Sequence, residues 1–129
     1  MAKTGNSHYI HGTTVEEQSR LAKLNYLTNA SFLEFVEVKE TDQVLELGSG
    51  LGILAEKISQ KLTTGRMTGI EISPEQIAKC PPENEKLVFV CGKAQDLPFE
   101  ENTFNTVYCR YILEHVHDPI RVLKEANRV

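Results

Sequence analysis

The sequence predicts an α/β protein with a doubly wound, mainly parallel sheet and flanking helices. Short apolar runs alternate with segments of helical pattern along the chain, and this alternation favours strand-helix-strand units with a parallel sheet. The apolar run that begins at Val44 ends in a glycine-rich turn, which in this class of fold is where nucleotide-like ligands bind. With 129 residues, 40% of them hydrophobic and 25% charged, the chain has the composition of one globular domain.

The beginning of this single domain, 1–129, is predicted to be a flexible arm (1–12) and a leading helix (13–38). Thr14 and Glu17 have the spacing of a capping box, and an apolar face follows at helical spacing. That face consists of Leu21, Leu24, Leu27, Ser31, Phe32, Phe35 and Val36. We expect the helix to pack on the sheet. The alternative is that the arm folds over the ligand pocket as a lid, with Tyr9, His11 and Arg20 facing the ligand.

The core, 43–129, is predicted to contain four strands at 43–47, 66–71, 87–91 and 104–109, in the order 3-2-1-4. The third is an unbroken apolar run typical of a strand buried on both faces. A helix over about 51–61 should place Ile53, Leu54, Ile58 and Leu62 inward. Ser73-Pro74 and Asp118-Pro119 are predicted helix starts. The last helix repeats Ile120, Leu123, Ala126 and Asn127 on one side.

The turn after the first strand carries the pattern ExGxGxG, from Glu46 to Gly52. A bare Cα lets the backbone touch a ligand, so alternate glycines predict close contact there. The dinucleotide pattern GxGxxG would need glycine at Ile53. The run Val-Leu-Glu-Leu-Gly-Ser-Gly-Leu-Gly resembles motif I of the Rossmann-like methyltransferases that use S-adenosylmethionine. This resemblance implies S-adenosyl-L-methionine as the cofactor, with Glu46 orienting the turn and the cofactor's methionine ammonium.

An acid at the end of the second strand, Glu71, stands nineteen positions after Gly52. That offset is close to the ~20 residues at which an acid meets ribose hydroxyls in this class of fold. A carboxylate can accept from both the 2′-OH and the 3′-OH. We therefore predict ribose binding by Glu71; the alternative is a solvated acid at a strand end.

Two later segments resemble the ubiquinone and menaquinone biosynthesis type (methyltransferase type 11-like) of this family. Relatives read GDA and LPF where this chain has Gly92-Lys93-Ala94 and Leu97-Pro98-Phe99, and Leu113-Glu114-His115 resembles their LEH segment. The ammonium of Lys93 cannot accept a hydrogen bond from adenine. The full set of predicted cofactor-binding residues is Glu46, Gly48, Ser49, Gly50, Gly52, Glu71, Ile72, Ala94, Gln95, Asp96, Cys109 and Arg110.

The resemblance implies methyl transfer by in-line displacement to a small-molecule acceptor, a reaction that needs no protein nucleophile. A base is required only if the acceptor must lose a proton. His115 is the first candidate for that base, although a lone histidine is more often a packing residue, and Tyr111 is a candidate substrate or lid residue. Two other functions stay open: a non-catalytic or truncated cofactor-binding remnant that needs a partner chain, and, more distantly, an NAD-dependent oxidoreductase.

Composition limits the partners and the location. A net charge of −4 and a pI near 5.6 argue against general binding to nucleic acid. Three widely spaced cysteines and the lack of a long apolar run favour a cytoplasmic protein with no metal site and no membrane contact. Relatives continue beyond the position of Val129, so we expect a C-terminally truncated fold whose fourth strand is an exposed edge. That edge invites a homo-oligomer or another partner chain.

Overall fold

The computed structural model describes residues 14–129, which divide into a first unit ending at Glu37 and a second from Val38 to Val129. The described part of the first unit is one helix, α1 (Val15–Phe35). Thr14 caps it as predicted, because its hydroxyl accepts the Glu17 N–H at 3.1 Å. Tyr9 and His11 lie outside the described residues.

The predicted apolar face of α1 is only partly buried. Leu24, Leu27 and Phe35 are 52%, 68% and 80% exposed, whereas Val36 is buried. The packing of this helix on the sheet stays a prediction. The helix also ends earlier than predicted, since Val36 is already extended, although its N–H still donates to the Phe32 carbonyl as the last helical hydrogen bond. Helical spacing alone cannot bury a residue, because burial needs a second surface, and the described part of this unit contains no second element.

The second unit is built on a parallel sheet in the order β3-β2-β1-β4, which confirms the predicted fold class and strand order. Its strands, within the described residues, are β1 (Gln43–Leu47), β2 (Arg66–Glu71), β3 (Leu87–Cys91) and β4 (Thr106–Cys109). Leu47 lies opposite Ile70 on β2 and Cys109 on β4. The carboxyl ends of β1, β2 and β4 therefore meet at one edge of the sheet.

Three helices cover this sheet: α2 (Ile53–Ser59), α3 (Pro74–Ile77) and α4 (Pro119–Arg128). As predicted, Ser73 caps α3 by accepting the Gln76 N–H at 3.3 Å, and Asp118 caps α4 by accepting the Arg121 N–H at 3.1 Å. Of the helices among residues 14–129, none has the length and apolar character needed to cross a bilayer.

Several predicted buried positions are wrong. Ile53 on α2 and Ile120 and Leu123 on α4 are 49% to 61% exposed. Leu54 and Ile58 are buried on α2, and Val122 is buried on α4. The third strand is not buried on both faces: Leu87 and Phe89 are buried, but Val88 and Val90 are half-buried, because β3 is an edge strand. The core beside β1 consists of Leu45, Leu47, Ile70, Leu97, Val122 and Val129.

Candidate functional site

The turn between β1 and α2 is fixed to the end of β2. Gly48, Gly50 and Gly52 have left-handed φ angles of 69°, 57° and 74°, a region that glycine adopts without strain. The N–H groups of Gly48 and Ser49 both donate to the carbonyl of Ile70, at 2.8 and 3.0 Å. The turn is thus pre-formed by contacts to the neighbouring strand.

The glycines of this turn serve two different purposes. A Cβ on Gly48 would lie 2.6 Å from Ile112, and one on Gly52 would lie 2.5 Å from Phe89. These two glycines therefore permit close packing with the protein's own side chains, which corrects the expectation that they only admit a ligand. A Cβ on Gly50 would meet only the Gln76 side chain, at 3.4 Å, so the turn is open for a ligand at this residue.

The carboxylate of Glu71 braces the turn from the end of β2. Its Oε1 accepts the N–H of Gly50 at 3.0 Å, and its Oε2 accepts the N–H of Ser73 at 2.8 Å. The residue is only 7% exposed. Each carboxylate oxygen has two lone pairs, so each can still accept one more hydrogen bond, as a ribose diol would require. Glu71 therefore has a structural role that its position in the sequence did not indicate.

Glu46 is buried near the end of β1, and fewer hydrogen-bond donors reach its carboxyl group than reach that of Glu71. It is 5% exposed, and its Oε1 accepts no hydrogen bond from the described residues. Burial raises the pKa of Glu46 to about 8, and the nearby Tyr108 hydroxyl and the charge of Arg110 only partly oppose this rise. The buried hydroxyl oxygen of Ser49, in the turn itself, likewise has no hydrogen-bond partner within the described part. Two buried oxygens at the turn are thus available to a ligand.

Tyr108 is a site residue that the sequence analysis missed. It lies opposite Glu46 in the register of β1 and β4, and burial together with the nearby carboxyl raises the pKa of its phenol. The phenol therefore stays protonated and can donate to Glu46. Gly69 was also missed: a Cβ there would lie 2.7 Å from the Ser49 side chain. Glu46 and Tyr108 each stand one residue before the end of their predicted strands, so aligning the two strand ends would have paired them. No pattern in the sequence indicated the role of Gly69.

The other predicted cofactor residues lie at the ends of β2, β3 and β4. Ile72 is 63% exposed directly after β2. Ala94 packs against the core, the carbonyl of Gln95 accepts from the Arg121 guanidinium at 2.7 Å, and the N–H of Asp96 donates to the Lys93 carbonyl at 3.2 Å. The backbone at 93–96 is therefore already well ordered by its own contacts.

Cys109 ends β4, and Arg110 and Tyr111 follow it. The Arg110 guanidinium lies 5.1 Å from the centroid of the Tyr111 ring, within the range of a cation-π contact. Tyr111 is 62% exposed and has a left-handed φ of 60°, which is uncommon for a residue with a side chain. Residues in such backbone conformations are concentrated at functional sites, so this segment is a candidate ligand contact.

Two further predicted residues have local partners. His115 Nε2 lies 3.6 Å from a Glu114 carboxylate oxygen, and the His115 N–H donates to the Ile112 carbonyl at 2.9 Å. Arg20, the candidate lid residue on α1, pairs with Glu17 at 2.8 Å on the same helix. Neither contact involves the glycine turn.

Comparison with known proteins identifies the lineage. Residues 45–129 match the family described as methyltransferase domain. The chain belongs to this family. The methyltransferase domain is 28% identical over 115 residues to YrhH of Bacillus subtilis (strain 168), a protein named as a methyltransferase; the match covers 86% of this chain and 64% of that protein. It is 36% identical over 100 residues to 2-phytyl-1,4-beta-naphthoquinone methyltransferase of Arabidopsis thaliana, covering 70% of this chain and 38% of that one.

A solved structure supports the same fold. A chain in the complex between the Haloferax volcanii Trm112 methyltransferase activator and a methyltransferase superposes with a TM-score of 0.77 at 24% identity, covering 88% of this chain and 51% of that one. The methyltransferase domain thus spans less than two thirds of each of these relatives. The predicted family is confirmed by the family match, and the predicted fold by the solved structure. S-adenosyl-L-methionine is the cofactor that the sequence predicts for this family.

The residues present fit this cofactor. Its methionine ammonium needs buried acceptors, which Glu46 and Ser49 supply, and its ribose diol needs the free lone pairs of Glu71. Open space beside Gly50 permits close approach to the backbone. When bound, the cofactor supplies the reactive methyl carbon, and the protein supplies alignment and a polar cradle.

Proposed function

We propose that this chain binds S-adenosyl-L-methionine at the ends of β1, β2 and β4 and transfers its methyl group to a small-molecule acceptor. The observation that carries the proposal is the buried carboxyl of Glu46, whose Oε1 has no hydrogen-bond partner in the described chain, next to a turn that is open at Gly50. A buried acceptor left without a donor costs about 1–3 kcal/mol. A ligand ammonium at this place removes that cost.

Each predicted residue has a specific role in this proposal. Glu46 and Ser49 receive the methionine part of the cofactor, Gly48, Gly50 and Gly52 shape the turn, and Glu71 receives the ribose. The remaining contacts come from the residues predicted for the adenine and methyl regions, which are Ile72, Ala94, Gln95, Asp96, Cys109 and Arg110. His115 is proposed as the base for an acceptor that must lose a proton, and Tyr111 as an acceptor contact.

Calorimetric titration tests the cofactor part of the proposal. We expect S-adenosylmethionine and S-adenosylhomocysteine to bind at micromolar concentrations and NAD not to bind. Binding of NAD alone would contradict the proposal and would favour the oxidoreductase alternative. Glu71→Ala, expected to weaken S-adenosylhomocysteine binding, tests the placement: unchanged affinity in this variant would contradict the ribose contact.

Turnover tests the acceptor part. Because one relative is named as a naphthoquinone methyltransferase, reduced naphthoquinones and related phenols form the first panel of acceptors, with the production of S-adenosylhomocysteine as the readout. His115→Gln should slow the reaction with acceptors that must be deprotonated. Tight cofactor binding without turnover over a broad panel would instead support the non-catalytic alternative.

We also propose that the outer edge of β4 associates with a second copy of this chain. β4 is the last strand of the sheet and pairs with β1 on one side. A groove of about 350 Å³ is lined by Val107 of β4 together with Asn102, Phe104, Asn105, Ala126, Asn127 and Val129. The backbone N–H and C=O groups on the outer side of an edge strand can pair with a strand of another chain, and apolar side chains beside them favour this association.

Size-exclusion chromatography with light scattering tests this association. We expect a dimer that weakens in Asn127→Asp, because the twofold contact would then bring two like charges into the groove. Lys124→Gln, an exposed change elsewhere on α4, is the matched control. A stable monomer at high concentration would contradict the proposal. A cytoplasmic location remains a proposal that fractionation of the source cells would test.

A further inference from the structure

The free site contains one carboxyl that burial has separated from water without a matching set of donors. Glu46 lies on β1 at 5% exposure. The groups that act on it are Tyr108 and Arg110 on the β4 side and Glu71 at the end of β2. The thiols of Cys80 and Cys109 also lie within electrostatic reach of it. Of these groups only Arg110 is a cation, and its guanidinium lies beside the Tyr111 ring.

This environment opposes a negative charge before a ligand arrives. Glu71 is a second carboxylate, and its two backbone donors do nothing for Glu46. Tyr108 lies opposite Glu46 in the register of β1 and β4, and Glu46 Oε1 accepts a hydrogen bond from none of the described residues. A buried carboxylate is stable as an anion only when charges or donors surround it. A ligand ammonium placed at Oε1 would supply both the charge and the donors.

We propose that the free protein holds Glu46 as a neutral carboxylic acid, and that the α-ammonium of the bound cofactor expels this proton. The inference rests on the proposed cofactor site. On binding, the O–H bond of the carboxyl breaks, its proton passes to the buffer, and both electrons stay on the carboxylate. The ammonium keeps its own protons and donates one hydrogen bond to the new anion. Cofactor binding is then coupled to the release of one proton.

The coupling predicts how affinity depends on pH. With the pKa of Glu46 at about 8, the ionised fraction grows about ninefold between pH 6 and pH 7, and the apparent association constant follows that fraction. At pH 7 binding should release about 0.9 proton, because the free protein is still mostly protonated there. The ligand's own α-amino group stays mostly charged up to pH 7, because its ordinary pKa is about 8.

Calorimetry of S-adenosylhomocysteine in buffers of different ionisation enthalpy measures the released proton directly. We expect about 0.9 proton released by the wild type at pH 7 and almost none in Glu46→Gln, whose affinity should be lower and independent of pH. Tyr108→Phe removes a hydroxyl that favours the Glu46 anion, so its association constant should rise with pH at higher pH values than in the wild type. Proton release should persist in this variant. The ligand control is 5′-deoxy-5′-methylthioadenosine, which lacks the amino-acid part and should release no proton.

Infrared difference spectra keep the inference testable if Glu46→Gln binds too weakly for calorimetry. The free wild type at pH 6.5 should show a protonated carboxylic acid band that is missing in Glu46→Gln and disappears when S-adenosylhomocysteine is added. Absence of that band, or binding by the wild type without proton release, would overturn the inference and leave the cofactor site intact. A wild type that binds no S-adenosylhomocysteine at all would overturn the proposed function and the inference with it.

Discussion

Glu46 and Glu71 stand at the ends of neighbouring parallel strands and are almost equally buried, with exposures of 5% and 7%. Their surroundings differ. Both oxygens of Glu71 accept a backbone N–H, whereas Oε1 of Glu46 accepts none within the described residues. Burial alone therefore does not define the role of a carboxyl group. The number of donors that reach it separates a group that stabilises the fold from one that is prepared for a ligand.

The comparison also explains why one turn can be both rigid and receptive. The Glu71 carboxylate joins the glycine turn to the loop before α3, so two backbone donors are satisfied without water. On the neighbouring strand, Glu46 keeps an oxygen without a hydrogen-bond donor, and this lowers the stability of the protein without ligand. Stability and ligand binding are thus divided between two residues of the same chemical type.

The largest effect should follow the removal of the satisfied carboxylate. Glu71→Ala leaves the partly buried N–H groups of Gly50 and Ser73 without their acceptor, at about 1–3 kcal/mol for each donor. We expect the free energy of unfolding, measured with urea, to fall by about 4 kcal/mol. Glu71→Gln keeps one carbonyl acceptor, so its free energy of unfolding should fall by about half as much. An unfolding midpoint for Glu71→Ala equal to that of the wild type would show that Glu71 does not brace the turn.

A second test compares two glycines of the turn. Gly48→Ala introduces a left-handed alanine, at about 1–2 kcal/mol, and a contact of 2.6 Å with Ile112; we expect a total loss of about 3 kcal/mol. Gly50→Ala introduces the same backbone strain without a close contact, so it should lose less stability than Gly48→Ala. Its affinity for the cofactor should fall more than that of Gly48→Ala, because the turn is open for a ligand at this residue. Thermal unfolding and calorimetry separate the two.

The double variant Gly48→Ala with Ile112→Ala provides the control for that comparison. Removing the Ile112 side chain removes the atoms that the new Cβ meets, so the two changes should be less damaging together than the sum of the single changes. Simple additivity would mean that the left-handed backbone alone determines the cost of a side chain at Gly48.

The sequence predicted the strands because apolar runs are a local pattern, and it predicted a parallel sheet because these runs alternate with helical segments, which favours right-handed crossovers. It did not predict which side of the short helices faces the core. In α2 and α4 the apolar residues Ile53, Ile120 and Leu123 recur at helical spacing, but so do the buried ones, and only packing decides between them. Tyr108 was missed for a different reason: its role follows from the cross-strand register, which becomes visible only when the ends of the predicted strands are aligned.

The pH dependence of stability tests the unsatisfied carboxyl. The pKa of Glu46 is about 8 in the folded state, against an ordinary value of 4.5, so the folded state binds more protons than the unfolded state between these values. Stability contributed by this group is therefore lost as pH rises through that window. We expect a relative loss of about 2 kcal/mol between pH 5.5 and 7.5 that Glu46→Gln does not show. Parallel curves for the two proteins would contradict the raised pKa.

The smallest effect concerns the outer side of the turn, where the Cys80 thiol donates to the carbonyl of Gly50 at 3.3 Å. A thiol is a weak donor, so Cys80→Ala should cost less than about 1 kcal/mol of stability and weaken S-adenosylhomocysteine binding about twofold. Cys80→Ser keeps a donor of similar size and should bind like the wild type, and Cys91→Ser, at an exposed thiol, serves as the matched control. A loss in Cys80→Ala as large as that in Glu71→Ala would mean that the thiol, rather than the carboxylate, holds Gly50, and the contrast between the two carboxyl groups would then have to be redrawn.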